Sequence, residues 1–373
     1  MKLLFLVFYG FNESNGISKK IRYQIDALRQ CGLDVRACYY EVHPDGHRCW
    51  MVNGELLFDF GTGIAAKLRK RIDFSPIVRY IERESITGIY IRFAHNANLF
   101  TTLFLYQLKR SNIRTVLEIP TYPYDQEYIS QWIKHYTDRI FRRHFCHYID
   151  RIITFSDDEE IFGRPTLRIS NGIDFRHIPL RHDPPSAQDG LHLIAVAEIH
   201  FWHGLDRLIE GLGHYYQQRP DYPVYFHIIG PLSGIREEQE ILTPIHQYHL
   251  EQVVTLHGPL HGAELDALFD RCHLAIGSLG RHRSGITSIK TLKNREYAAR
   301  GFTFVYSEND SDFDHQPYVL KVPADESPID INWIVKFYRN MTLTPEAIRD
   351  SIAHLAWSEQ MKPIAQYLQS LND

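Results

Sequence analysis

GSLGRHRSGITSIKTLKNREYAARG, residues 277–301, is the stretch whose reading decides the rest of the chain. It takes over from an apolar run, residues 274–278, and opens as a loop holding Gly277, Gly280 and Gly285 with Arg281 and Arg283. The pattern predicts a helix from about Thr287 that carries Lys290, Lys293 and Glu296 and closes on Gly301, a residue suited to a helix C-cap. A glycine-rich turn between a buried strand and a helix N-terminus is a ready anion site, since free backbone N–H groups and the helix dipole converge on it. Glu296 follows Lys293 by about one helical turn, so both can face one ligand. The residues therefore predict a diphosphate cradle with a carboxylate placed for sugar hydroxyls. The plain alternative is a solvated basic loop beside an ordinary helix.

The totals narrow the setting. A chain of 373 residues fits two domains better than one core. With 45 acidic against 41 basic residues there is no global field to hold nucleic acid, so any cationic surface is local. Cys31, Cys38, Cys49, Cys146 and Cys272 are scattered and lack a C-x-x-C pair, which points to reduced thiols in the cytoplasm. The 21 histidines show no HExxH-like spacing, so no metal site is expected. MKLLFLVFYG reads as a buried first strand and not as a signal peptide, and no apolar run approaches the roughly 20 residues of a transmembrane helix.

From residue 2 onward, strand, loop and helix alternate. Strand 2–9, a helix from about Ile17 to Cys31 and strand 34–40 make a parallel crossover, with Gly16 at the helix N-terminus where a phosphate or sugar could approach. Residues 41–60 suggest an edge hairpin around Asn53-Gly54. Strands 88–92 and 115–119 follow, and polar residues gather at their carboxyl ends: Arg92 and His95, then Glu118, Thr121, Tyr122, Tyr124 and Asp125. Carboxyl ends line the crevice of a parallel sheet, so these are candidate acceptor-side residues. EIPTYPYDQEY, 118–128, combines tyrosines and acids that suit a sugar, or simply a proline-stiffened loop with packing rings. IKHYTDRIFRRHFCHYIDR, 133–151, is a basic, aromatic helix that either lies on an anionic membrane or packs its aromatic face into the sheet. Strand 151–155, a short helix and strand 167–171 close the first half.

Residues 175–190 hold three prolines and no periodicity, and the domain linker is expected there. A second alternating series begins with strand 191–197 and leads through the opening stretch to strand 303–307. The expected organisation is an acceptor-side Rossmann-like domain, 1–175, and a second one, 190–357, with a helix at about 358–373 crossing back. The fold class is α/β, two doubly wound domains facing across a cleft. Asp310, Asp312 and Asp314 follow the last strand as a solvated turn, or as ligands for a hard cation.

Several strings carry a resemblance. WHGLDRLIEGL (202–212), HIIG (227–230), VTLHGPLHGAELDALF (254–269) and LKNREYAARG (292–301) resemble the donor half of GT-B glycosyltransferases, family 4 and its relatives. Residues 17–32, EIPTYPYDQEY and ISNGID (169–174) are similar to the acceptor half of the bacterial capsule and exopolysaccharide branch. The family pattern is a Glu, seven residues and a Glu. Glu296 matches the second, which the resemblance assigns to the ribose, while Ser288 stands at the first. Glu198 and His203 occupy the places of the usual diphosphate-gripping Arg and Lys, so Arg283 and Lys293 are expected to take over that charge.

The resemblance implies transfer of a sugar from a nucleotide donor, UDP-linked as is commonest, to a glycan or lipid-linked acceptor in polysaccharide assembly. It implies retention at the anomeric carbon, no cofactor and no essential metal, with fixed cations stabilising the leaving diphosphate. The expected donor residues are Gly16, His203, Gly204, Gly230, Gly285, Ser288 and Glu296 beside Arg283 and Lys293; the expected acceptor residues are Glu118, Thr121, Tyr122 and Asp125. The location expected is cytoplasmic, with peripheral contact at the inner face of the membrane through 133–151. The losses at 198, 203 and 288 keep open a non-catalytic sugar-nucleotide-binding partner subunit, and a GT-B epimerase is the third reading.

Overall fold

The computed structural model describes residues 1–11, 16–125, 132–181 and 184–370; the end of the 118–128 string lies outside them. The chain divides into two units, Met1–Ser170 with Trp357–Asp373, and Asn171–Ala356. The proline-rich segment 175–190, expected as the linker, lies within the second unit. Arg181 holds it there, because its buried guanidinium donates to the carbonyls of Cys272 at 2.8 Å and Gly301 at 3.3 Å.

The first unit runs β1 (Lys2–Val7), α1 (Gly16–Gln30), β2 (Asp34–Val42), β3 (Arg48–Val52), β4 (Glu55–Asp59), α2 (Gly63–Ile72), α3 (Ser75–Arg83), β5 (Gly88–Arg92), α4 (Leu99–Arg110), β6 (Arg114–Ile119), α5 (Trp132–His147), β7 (Arg151–Thr154), β8 (Glu160–Ile161) and β9 (Arg164–Arg168). Its sheet is ordered β4-β3-β2-β1-β5-β6-β7-β9-β8, parallel from β2 to β9. The unbroken apolar run of β1 is explained by cover on both faces. Leu3, Phe5 and Val7 meet Ile21, Ile25 and Leu28 of α1, while Leu4 and Leu6 join Ile77, Phe104 and Leu105 from α3 and α4. Asn53 and Gly54, with φ of 50° and 91°, turn the edge hairpin as their residue types demand. The short helix expected after strand 151–155 is instead the hairpin β8–β9, turned at Phe162-Gly163, whose φ values are also positive at 50° and 79°.

The second unit runs β10 (Leu191–Val196), α6 (Leu205–Gln217), β11 (Val224–Ile229), α7 (Ile235–Gln247), β12 (Val254–Gly258), α8 (Gly262–Asp270), β13 (Leu274–Ile276), α9 (Leu292–Ala299), β14 (Thr303–Tyr306), β15 (Val319–Lys321), α10 (Ile331–Arg339) and α11 (Pro345–Ser351). Its sheet is wholly parallel, ordered β12-β11-β10-β13-β14-β15. α12 (Trp357–Gln369) belongs to the first unit, where Trp357, Met361, Ile364 and Leu368 pack in the same core as α1. The parallel strands of each sheet thus reverse their order once, between β1 and β5 in one unit and between β10 and β13 in the other, and a ligand crevice forms at such a switch point.

One element of the opening stretch departs from expectation. The helix begins at Leu292 and not near Thr287. The run Ile286-Thr287-Ser288-Ile289 is rich in β-branched residues, which resist the helix and favour extended backbone. It pairs with the loop after β14: Asn309 N donates to Thr287 O at 2.8 Å, and Ile289 N to Asn309 O at 2.9 Å.

Candidate functional site

At the switch point of the second unit, the turn after β10 meets the turn after β13. Phe201–His203 makes one 3-10 turn and Arg281–Ser284 another. Gly204 lies between the first turn and α6 with φ of 61°, and a Cβ there would sit 2.5 Å from Gly280 N, so only glycine lets the two backbones meet. Leu279 N donates to His203 O at 2.8 Å across the junction. Gly230, at the end of β11, is equally constrained: a Cβ would lie 1.7 Å from Ala197 O. Gly204 thus lets the two turns meet, and Gly230 lets the end of β11 meet the backbone just after β10.

Two arginines sew this junction together. Arg207, 1 % exposed, donates to the carbonyl of Leu279, to Ser327 O at 2.8 Å and to Pro323 O at 3.0 Å. Arg283 forms a fork on Asp206, 2.9 and 2.7 Å, and also donates to Phe201 O at 3.1 Å and to both oxygens of Glu326. Hydrogen bonds from Arg283 hold the Glu326 carboxyl down at about 2. Arg283, expected to grip a diphosphate, is therefore committed to two carboxylates and fixes the turn on which it stands.

A second set of groups is less fully engaged. His203 is 6 % exposed, and its Nδ1 accepts from His200 N at 2.9 Å, which leaves the proton on Nε2. Burial, reinforced by Lys293 and Arg281, keeps the ring neutral by pushing its pKa well below the usual histidine range. His203 thus offers one N–H donor and no charge. Burial also pushes the Lys293 ammonium down; Glu308 opposes that push and Arg281 adds to it. Glu308, 2 % exposed, is pushed up by burial against the pull of its own backbone amide, Lys293 and Arg281. Its Oε1 accepts only a long bond, 3.4 Å, from Asn294 Nδ2. Glu308 Oε2 and Asn294 Oδ1 are buried without a hydrogen-bond partner among the described residues. Glu308 and Asn294 carry no motif, which is why sequence reasoning passed over them.

The remaining donor-side residues are dispersed. Glu296 is 37 % exposed on α9 and pairs with Arg300, which also binds Asp266 at 2.8 Å. Gly285 ends the 3-10 turn with φ of 69°. Ser288 is exposed in the extended segment beside Asn309, outside any helix. The amides after Gly285 are partly used, since that of Ile289 is bonded to Asn309. Asp310 and Asp312 clamp the buried Arg295, and Asp314 accepts from Tyr306 and Lys321, so the acidic string is neither a solvated turn nor a set of open ligands.

In the first unit, Gly16 is the exposed first residue of α1. Glu118, expected to bind an acceptor, is fully buried and saturated: it accepts from Gln24 at 2.8 Å, from Tyr90 at 2.5 Å and from Arg92, with Lys20 at 3.6 Å. Burial raises its pKa, but Arg92 and Lys20 outweigh that, and the carboxyl ends below its ordinary value. Asp125 is held by Arg142 at 2.6 Å. Tyr124 is buried with its hydroxyl on Asp138 at 2.9 Å, and Tyr122 packs edge-on to Phe162. Thr121 is half-buried. None of Glu118, Thr121, Tyr122 and Asp125 lines the cavity of this unit, which has ≈ 740 Å³ and is walled instead by residues such as Trp50, Lys70, Phe74, His95, Trp132 and Lys134. On α5, Phe145 and Cys146 are buried, as packing into the sheet requires, whereas Trp132, Ile133, Tyr136 and Ile140 are exposed.

No family model matches the chain, and no curated protein does. Among solved structures, all of the chain superposes on 98 % of sucrose-phosphate synthase from Thermosynechococcus elongatus, with a TM-score of 0.69 at 14 % identity. HepE from Anabaena, solved in complex with UDP, matches 99 % of the chain over 100 % of its own length, with a TM-score of 0.66 at 16 % identity. A glycosyltransferase from Rickettsia africae covers 100 % of the chain with 98 % of its own length, at a TM-score of 0.64 and 11 % identity. The shared feature is the fold, and that fold is GT-B.

Proposed function

We propose that the protein is a glycosyltransferase that binds a UDP-linked sugar at the switch point of its second unit and passes the sugar to an acceptor held by the first. The observation that carries this reading is the cluster at the β10/β13 junction: neutral His203 with a free-standing Nε2–H, the cations Lys293 and Arg281, and a buried carboxylate with an unpaired oxygen. Such a set holds a diphosphate through one donor and two charges at a place where two glycines bring backbone close. A leaving diphosphate is stabilised there by fixed cations, so the reaction is read as metal-independent and, by the family resemblance, retaining. Glu296 takes the ribose, sharing its carboxylate with Arg300. The acceptor is a glycan or lipid-linked glycan of polysaccharide assembly. The site of action is the cytoplasmic face of the membrane, touched by the exposed apolar and basic residues of α5. Among the described residues no helix is long and apolar enough to cross a membrane.

The test is calorimetric titration of UDP and of UDP-sugars in the presence of a chelator, followed by assay of sugar release. UDP is expected to bind and to raise thermal stability by mass action. Lys293→Met is expected to weaken UDP about tenfold or more, the worth of one charge-assisted contact. Absence of binding by any nucleoside diphosphate would end this reading, and binding without turnover across sugar donors would leave a non-catalytic partner subunit.

A further inference from the structure

The cavity of the first unit has a composition that selects its ligand. Among its described lining residues there is no Asp or Glu, while Lys70, Arg71 and Lys134 all contribute. Lys70 stands over the Tyr40 ring, 3.4 Å from its centroid, and burial, followed by repulsion from Arg71, Arg48 and Lys67, pushes its pKa down to about 8. No carboxylate answers Lys70 or Arg71 among the described residues. Lys70 and Arg71, in a partly desolvated wall with no carboxylate of their own among the described residues, are stabilised by whatever anion enters, and Lys134, which Asp138 also attracts, adds to the same charge. The rest of the wall is aromatic: Trp50 is 1 % exposed and Phe74 is buried, whereas Trp132, 70 % exposed, extends the apolar surface out of the cavity mouth. The buried indole N–H of Trp50 has no hydrogen-bond partner among the described residues.

We propose that this cavity binds the phosphate group of an amphiphilic acceptor, with Lys70, Arg71 and Lys134 holding the anion and Trp50, Phe74 and Trp132 holding the adjoining apolar part. A sugar phosphate alone would satisfy the cations and leave the aromatic wall unused; a neutral amphiphile would do the reverse. The word acceptor rests on the transferase reading above, but the binding itself is measured without a donor.

The full chain is titrated with decyl phosphate below its micellar concentration, with decyl maltoside and with glycerol 3-phosphate, by calorimetry and tryptophan fluorescence. Decyl phosphate is expected to bind at one site, at least tenfold tighter than either of the others. Lys70→Met and the exposed Arg71→Ala should each weaken it about tenfold. Trp132→Ala should weaken decyl phosphate several-fold and leave glycerol 3-phosphate unchanged. Equal affinity for decyl maltoside would overturn the anion site, and equal affinity for glycerol 3-phosphate would overturn the amphiphile in favour of a soluble phosphate. Unchanged binding in Arg71→Ala, a substitution at the surface that spares the core, would overturn the assignment of the cations. UDP titration of the same variants separates the two readings: decyl phosphate binding without UDP binding keeps this site and removes the transferase, and the converse removes only this site.

Discussion

Glu118 and Glu308 occupy matching places in the two units and behave as opposites. Each is a buried carboxylate, 0 % and 2 % exposed, on the strand or strand end next to the one where the sheet reverses its order. Glu118 accepts from Gln24, Tyr90 and Arg92 with Lys20 close by, and its carboxyl ends below the ordinary range. Among the described residues Glu308 has one side-chain hydrogen bond, a long one from Asn294, and burial lifts its pKa against the pull of its own amide. A saturated buried network fixes one conformation, whereas a half-satisfied one costs stability unless something else completes it. The difference separates scaffold from site more clearly than residue type does.

The largest expected effect breaks the comparison directly. Glu118→Gln leaves Arg92 and Lys20 buried without their counter-charge and should cost about 3–5 kcal/mol in urea unfolding. Glu308→Gln removes a poorly paired buried charge and should cost less than about 1 kcal/mol. Similar losses in the two variants would mean that saturation is not what distinguishes them.

Acid sharpens the same contrast at the level of whole units. Burial depresses His192, His203, His227, His257 and His273 in the second unit, with His227 and His273 down to about 4, whereas His95 is the depressed histidine among the described residues of the first. Below the unfolded value of 6.5 the unfolded chain takes up these protons before the native one does, so stability is lost as pH falls from 6.5 towards 4. Glu308 runs the other way, because its raised native pKa adds stability as pH falls through the same window. At pH 5.5 each of the two buried rings, His203 and His273, should cost on the order of 1 kcal/mol. Hydrogen exchange at pH 7 and pH 5.5 should show the second unit losing protection first; equal loss in both units would contradict this.

Much of the fold was legible because it rests on local patterns. Unbroken apolar runs such as Leu3–Val7 announce parallel strands covered on both faces, and Asn53-Gly54 announces its own turn. Of the proposed site, less was legible. His203, Gly204 and Lys293 stand at the junction, placed there by chain order around the opening stretch. Glu308 and Asn294 could not be found, since their importance lies in partners they lack, and no spacing encodes an absence. The converse error was to credit every polar residue at a strand end. Glu118, Asp125 and Arg283 have the right chemistry, but a long-range partner, Arg92, Arg142 and Asp206 respectively, has already claimed each.

Arg283 and Lys293 repeat the contrast among cations, and here the expected difference is smallest in stability and clearest in binding. Arg283 is 12 % exposed and spans Asp206 and Glu326, the second of which is 63 % exposed. Partly exposed pairs of this kind are screened, so Arg283→Ala should cost about 1 kcal/mol in urea unfolding. Because its fork is already filled by Asp206, a diphosphate would have to displace a carboxylate to reach it, and UDP affinity should change by less than about threefold against about tenfold for Lys293→Met. If Arg283→Ala loses about tenfold in UDP affinity while Lys293→Met leaves it unchanged, the arginine leaves Asp206 when nucleotide binds. The saturated partner would then be the gripping one, and Lys293 beside Glu308 would need another explanation.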